Sequence, residues 1–159
     1  MFDFDKKLEE GAKAQETASE NKKEIRQVLV EFSKSIGKLI GKEAIFVTTA
    51  ERKDDDKKYD PIELARNSLL AGISSSGLLK PLSPLTGYLR YQLRVENDEK
   101  KQLETTVLFK IKQEDSGYPL VIRYKKKEIT CRDQDSFVEV LGSIATEVSF
   151  HESLAKLKG

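Results

Sequence analysis

Residues 88–132 alternate apolar and polar side chains through several consecutive runs, and this alternation constrains the fold more than any other feature of the chain. Successive side chains of an extended strand point to opposite faces, so the alternation predicts strands with one apolar and one polar face. Short polar connections at residues 97–101 and 125–127 separate the runs. Because these connections are short, an antiparallel meander is the simplest topology.

The predicted strands share an apolar inner face and a largely basic outer face. The expected inner residues are Leu89, Tyr91, Leu93 and Val95, then Leu103, Thr105, Val107, Phe109 and Ile111, then Leu120, Ile122 and Tyr124. Cys131 alternates with Ile129 in the last run and is also predicted to face inward. A shift of one residue in the register of any strand would exchange its two faces.

Two amphipathic helices are predicted to cover the apolar face. The first spans residues 25–40, where apolar side chains recur at helical spacing: Ile25, Val28, Leu29, Phe32, Ile36, Leu39 and Ile40. The second spans residues 136–148, with Asp133 or Asp135 as its cap, Phe137, Leu141, Ile144, Ala145 and Val148 facing inward, and Leu154 and Leu157 prolonging it. The β-branched run at residues 44–49 predicts a strand buried on both faces.

These elements predict an α+β fold, in which N-terminal and C-terminal helices pack on the apolar face of a four- or five-stranded, mainly antiparallel meander sheet. Residues 25–159 are expected to form a single domain that contains a charged loop at residues 50–60 and a Ser/Gly/Pro loop at residues 72–86. Pro61 begins a predicted short helix that ends near residue 71.

The first 24 residues have too few apolar side chains to pack firmly against a core, so we expect a solvated helix or a flexible extension. Phe2, Phe4 and Leu8 are the exceptions in this charged segment. Isolated helices are marginally stable in water, so these three residues are candidate contacts with a partner protein or a second copy of the chain. The alternative is that the aromatic rings fold back onto the protein's own core.

Composition excludes several classes of protein. No apolar run approaches the roughly 20 residues that span a bilayer, and the first residues lack the order of a signal peptide. The net charge is +1, which selects neither nucleic acid nor membrane as a partner. A single cysteine, Cys131, cannot form an internal disulfide and fits a reducing compartment. We therefore expect a cytoplasmic protein with no membrane association.

The basic outer face offers a second hypothesis, which is binding to nucleic acid. The candidate residues are Tyr88 as a stacking ring, with Arg90, Arg94, Lys110, Lys112, Arg123, Lys125, Lys126 and Lys127 as phosphate contacts. Such a surface would neutralise phosphates, and its affinity would fall with salt. In the competing interpretation the long basic side chains only cover a solvated sheet or form ion pairs.

No motif in the sequence predicts catalysis. The acidic run at residues 54–56, with Asp60, has Lys58 where a calcium loop needs a ligand and lacks the central glycine, so it is interpreted as a solvated loop. His151 and Cys131 are far apart in sequence and form no recognisable nucleophile and base pair. No metal, cofactor or small-molecule ligand is indicated. The sequence therefore favours a non-catalytic binding or adaptor protein that uses its N-terminal helix and sheet surface, ahead of a nucleic-acid-binding module and an enzyme.

Overall fold

A computed structural model describes residues 3–53 and 83–158 of the chain. These residues form three helices, α1 (Phe4–Ile40), α2 (Gln134–Ala145) and α3 (Val148–Lys158). Their strands are β1 (Ala44–Arg52), β2 (Leu85–Glu96), β3 (Gln102–Glu104), β4 (Phe109–Glu114), β5 (Gly117–Tyr124) and β6 (Lys127–Cys131). The predicted α+β class is confirmed.

The strands form one antiparallel sheet with the order β1, β2, β4, β5, β6, and β3 pairs with the C-terminal part of β2. The sheet has six strands, so it is larger than predicted. Neighbours in the chain pair throughout, except that β4 pairs with β2 and not with β3. Short connections after β2 produce this meander, as the alternating pattern indicated.

Helix α1 crosses the inner face of the sheet diagonally. Its part near Asn21 contacts the turn between β4 and β5, whereas Gly37 and Gly41 lie beside the start of β1. Its buried residues, Ile25, Val28, Leu29, Ser33, Ile36, Gly37 and Ile40, follow the predicted stripe closely. Leu39 is the exception, because it lies on the far side of the helix and is 55% exposed. The helix ends at Gly41, whose positive φ of 73° favours glycine.

Two C-terminal helices replace the single predicted one. Asp133 forms a capping box with Ser136, so α2 begins two residues earlier than expected. The chain then turns at Thr146, and α3 begins at Val148, whose side chain is 74% exposed instead of buried. The turn redirects the chain, which allows Phe150, Leu154 and Leu157 to reach the core along a different line.

The predicted second strand is interrupted between β3 and β4. Thr105 bonds to β2 through its backbone and through its hydroxyl, which accepts a hydrogen bond from the Leu93 amide at 2.9 Å. The extra residues that follow change the alternation, so Leu108 is buried and Val107 is 39% exposed, the reverse of the expected order. Pairing with β2 resumes at Phe109, which again faces inward together with Ile111, so the interruption reverses the expected burial only at Val107 and Leu108.

Strand β1 also differs from expectation. In the part of the chain that the structure describes, it lies at the edge of the sheet and pairs with β2 alone. Ile45 is therefore 52% exposed, and the strand is not buried on both faces. It continues to Arg52, into the region predicted as a charged loop, and β2 begins at Leu85, inside the predicted loop at 72–86. The predicted helix at 61–71 lies outside the described residues.

Candidate functional site

Residues 3–17, here called the overhang, extend α1 beyond the core. Asp3 caps the helix by accepting a hydrogen bond from the Lys6 amide at 3.1 Å, and every residue of the overhang is exposed. Phe4 and Leu8 are 68% and 71% exposed. Phe2 lies outside the described residues. The overhang therefore presents two large apolar side chains to solvent.

The overhang lies on the N-terminal side of the point where α1 contacts the turn between β4 and β5. The Asn21 side-chain amide donates to the Ser116 carbonyl at 3.0 Å, and the Tyr118 hydroxyl donates to Glu24 Oε1 at 3.0 Å. Gly117, with φ of 90°, lies directly under Asn21. These contacts fix the direction in which the overhang leaves the core.

An apolar groove of about 1050 Å³ runs between α1 and the edge of the sheet. Its apolar wall consists of Leu29, Val30, Ala44, Ile45, Phe46, Leu89 and Tyr91. Its rim is basic and comprises Lys22, Arg26, Lys34, Lys38 and Lys42, with Glu43 as an acidic member. We call this feature the α1–β1 groove.

The groove exists because the diagonal course of α1 leaves one corner of the inner face uncovered. Phe46 and Tyr91 pack edge to face there, with ring centroids 6.0 Å apart. Leu89, predicted to be an inner residue, does face this side but stays 37% exposed because no described helix covers it. Sequence reasoning missed the groove, since periodicity shows which face is apolar but not where a crossing helix stops covering it.

Four basic residues of the predicted outer face form ion pairs with carboxylates. Arg94 pairs with Glu104, Lys110 with Glu51, and Arg123 with both Glu128 and Glu51. Lys125 Nζ lies 3.2 Å from Glu147 Oε2. The outer face is thus a charge-paired layer, and part of its positive charge is already neutralised within the chain.

Tyr88 has little ring surface available for stacking. Its side chain is only 8% exposed, and the Arg123 guanidinium lies over the ring at 4.4 Å from the centroid. Lys112 Nζ approaches the same ring at 5.9 Å. A nucleic-acid base would have to displace these cations before it stacked on Tyr88.

Sequence reasoning did not single out the carboxylate of Glu51. It is 3% exposed and lies on the outer face, where Lys110 contacts it and the Thr86 hydroxyl donates to Oε1 at 3.1 Å. Burial alone raises the pKa of Glu51, but the hydrogen bonds from Lys110 and Thr86 and the charges of Lys110 and Arg123 outweigh this effect. Its net pKa lies below the usual value, so the carboxylate is ionised near neutral pH.

The remaining basic candidates lie at the margins of the outer face. Arg90 Nε donates to the Thr49 hydroxyl at 3.0 Å. Lys126 and Lys127 are exposed at the turn between β5 and β6. These two lysines are therefore accessible to a nucleic acid.

The described residues bring together no group of three metal-ligating side chains. Cys131 is completely buried, and burial raises the pKa of its thiol to about 11, so it stays protonated and unreactive. His151 is exposed and its Nε2 lies 2.6 Å from the Ala145 carbonyl. The acidic run at 54–56 and Asp60 lie outside the described residues. None of the described helices has the length and apolar character needed to cross a bilayer.

Comparison with known proteins finds no matching family model, no similar curated protein and no similar solved structure. Function is therefore inferred from the overhang, the α1–β1 groove and the outer face.

Proposed function

We propose that this protein is a non-catalytic binding or adaptor protein that engages another protein chain, either a partner or a second copy of itself, through its N-terminal helix and sheet surface. The observation that carries the proposal is the overhang, which is helical from Phe4 onward and exposed at every residue from Asp3 to Thr17. Its role is to present Phe4 and Leu8 at a distance from the core.

The physical support comes from the stability of helices. The overhang buries no residue, whereas packing of one face supplies most helical stability in proteins. Burying one Phe or Leu side chain contributes about 1.5 to 3 kcal/mol. Two such residues one helical turn apart are a common anchor pattern for a helix that binds in an apolar groove.

The sheet contributes a second surface to the proposal. The α1–β1 groove exposes Val30 and Ile45, which are 49% and 52% exposed, beside a rim of lysines. An apolar centre with a polar, charged rim is the usual anatomy of a protein interface. A cytoplasmic location, inferred from the single buried cysteine, is part of the same proposal.

The test compares the wild-type chain with the double variant Phe4→Ala/Leu8→Ala, each immobilised at equal density and exposed to cell extract. A matched control, Lys13→Ala, changes an exposed side chain of the same overhang. We expect the double variant to lose bound protein by tenfold or more, while the control retains it, because truncating apolar anchors removes most binding energy at such interfaces.

A solution measurement completes this test. Light scattering on the same three proteins reports any self-association. Unchanged capture and an unchanged assembly state in the double variant would reject the overhang as a binding element.

The nucleic-acid hypothesis remains the alternative, and one observation favours it. Lys126 and Lys127 are exposed at a turn that borders the basic outer face. The variant Lys126→Glu/Lys127→Glu should then weaken binding to a labelled single strand by tenfold or more at low salt. The control Lys156→Glu/Lys158→Glu makes the same charge change on α3. Equal affinities of the two variants for the strand would reject this alternative.

A further inference from the structure

Helix α1 and its cap carry opposite net charges in their two halves. Residues 3–20 contain six acidic and three basic side chains, whereas residues 21–43 contain six basic and three acidic ones. The first half includes the overhang, and the second half supplies the basic rim of the α1–β1 groove. The overhang of one chain is thus complementary in charge to the groove of another.

The helix macrodipole does not account for this arrangement. Acidic residues near the start and basic residues near the end of a helix do stabilise it, but the effect is confined to the first and last turns. Glu16 and Glu20 lie several turns inside α1, as do Lys22 and Arg26. The charge separation therefore extends well beyond the range of a capping effect.

Leu8, one of the two large apolar side chains of the overhang, lies on the same flank of α1 as the groove. Arg26 follows Leu8 by 18 residues, which is about five complete helical turns, so both point in the same direction. Val30 is one turn further along this flank. Between them the flank carries Ala12 and Ser19, which are small and exposed. Small residues permit close approach of a second helix.

We propose that the α1–β1 groove binds the overhang of a second copy of this chain, so that two α1 helices pair antiparallel about a two-fold axis. This inference rests on the proposed function, because it names the partner of the overhang. A two-fold axis makes each contact occur twice, as in most homodimers. Each overhang would then bind in the α1–β1 groove of the other chain.

The register follows from the positions of the apolar residues. A two-fold axis near Ser19 places Leu8 of one chain opposite Val30 of the other, with about 33 Å of helix between the two grooves at 1.5 Å per residue. The same register brings Glu16 opposite Lys22 and sets Asp5 beside Lys34. Apolar contacts and opposite charges therefore coincide in a single arrangement.

The test uses charge reversal in the full-length chain, with sedimentation velocity over a range of protein concentrations. The wild-type chain should form a dimer that weakens as salt is raised. We expect Lys34→Glu/Lys38→Glu, in the groove rim, and Asp5→Lys/Glu9→Lys, in the overhang, each to weaken dimerisation by tenfold or more. The control Lys126→Glu/Lys127→Glu changes the charge equally on a distant turn and should dimerise normally.

Mixing the two charge-reversed proteins is the decisive measurement. In the mixed pair the basic overhang meets the acidic rim, and the native overhang meets the native rim. A heterodimer should therefore form with an affinity restored to within about threefold of the wild-type value. Both variants change exposed residues, and their thermal unfolding midpoints would verify that each is folded.

Several results would overturn this inference. The inference fails if the wild-type chain stays monomeric at every concentration, or if Lys34→Glu/Lys38→Glu dimerises as strongly as the wild-type chain. It also fails if the mixture of the two charge-reversed proteins forms no heterodimer. A Val30→Cys chain labelled on that thiol with a photoreactive benzophenone maleimide that cross-links to its own residues 54–82 would identify that segment as the occupant and would also overturn the inference. If Phe4→Ala/Leu8→Ala still abolishes capture of another protein in any of these cases, the inference fails while the proposed function stands.

Discussion

Glu51 holds a negative charge in an almost completely buried position between two basic side chains. Its carboxylate pairs with Lys110, and Oε1 lies 3.9 Å from an Arg123 guanidinium nitrogen. A buried charge is tolerated only when such partners compensate for its lost hydration. Removing it leaves Lys110 without its carboxylate partner, whereas Arg123 keeps its ion pair with Glu128.

We predict that Glu51→Gln lowers the free energy of unfolding by about 3 kcal/mol at neutral pH, the usual cost of breaking a buried ion pair. Because folding depresses the pKa of Glu51, its charge stabilises the fold above its unfolded pKa, about 4.3, and this contribution is lost as pH falls through the lower folded pKa. Denaturant unfolding at several pH values should show the difference between the two proteins shrinking below about pH 4.

The matched control for this prediction is Glu104→Gln. Glu104 also pairs with an arginine, Arg94, but in an exposed position. Glu104→Gln should therefore lower the free energy of unfolding much less than Glu51→Gln does. Equal losses for the two variants would contradict a special role for the buried carboxylate.

Gly117 joins the turn between β4 and β5 to helix α1. Its φ is 90°, and a Cβ added there would lie 2.8 Å from the Asn21 Cβ. We predict that Gly117→Ala lowers the free energy of unfolding by about 2 kcal/mol or more, from backbone strain and this steric conflict. Gly11→Ala is the control, because Gly11 has open space and a helical position, and it should not lower stability.

At the level of elements, α1 divides into a part that holds the core together and a part that does not. Ile25 begins the buried stripe, whereas the overhang buries no residue. Packing, more than helix propensity, determines how much a helical segment contributes to stability. The overhang can therefore be lost without loss of the core.

We predict that deleting residues 1–17 changes the free energy of unfolding by less than about 1 kcal/mol, as expected for exposed positions. The helical circular dichroism signal should fall because helical residues are removed. The free energy of unfolding should be measured at low protein concentration and high salt, where self-association is weakest. A fall of more than about 5 °C in the unfolding midpoint would mean that the overhang packs on the core.

At the level of the whole molecule, one hydrophobic core connects all three helices to the sheet. Phe32 of α1 stacks on Phe150 of α3 with ring centroids 5.9 Å apart, and Leu141 of α2 and Leu93 of β2 belong to the same cluster. A single contiguous core of this size usually unfolds in one cooperative transition. Loss of any part of it should therefore weaken every element together.

We predict that Phe150→Ala lowers the free energy of unfolding by about 3 to 5 kcal/mol, through lost burial and a cavity. Far-ultraviolet circular dichroism reports the helices, and near-ultraviolet circular dichroism reports the packed tyrosines, since the chain has no tryptophan. The unfolding midpoints recorded by the two signals should fall by the same amount. Separate transitions for the two signals would show that α3 unfolds independently of the sheet.

Helices and strands whose residues repeat at a regular spacing could be predicted from the sequence. The alternation around Leu93, Ile111 and Ile122 correctly predicted strands with buried inner residues, and the stripe from Ile25 to Ile40 predicted the packed part of α1. Asp133 was correctly identified as a possible helix cap. These features follow from local geometry, because the period of a strand or helix decides which side chains share a face.

Which of those faces are covered depends on the tertiary packing and could not be predicted from the sequence. Glu51 looked like part of a charged loop until β1 placed it beside Lys110 of β4, and Leu89 is exposed because α1 crosses the sheet elsewhere. The exposure of Val107 depends on an interruption that the alternation did not reveal. Burial depends on contacts between residues far apart in sequence, and a local period contains no information about where one element crosses another.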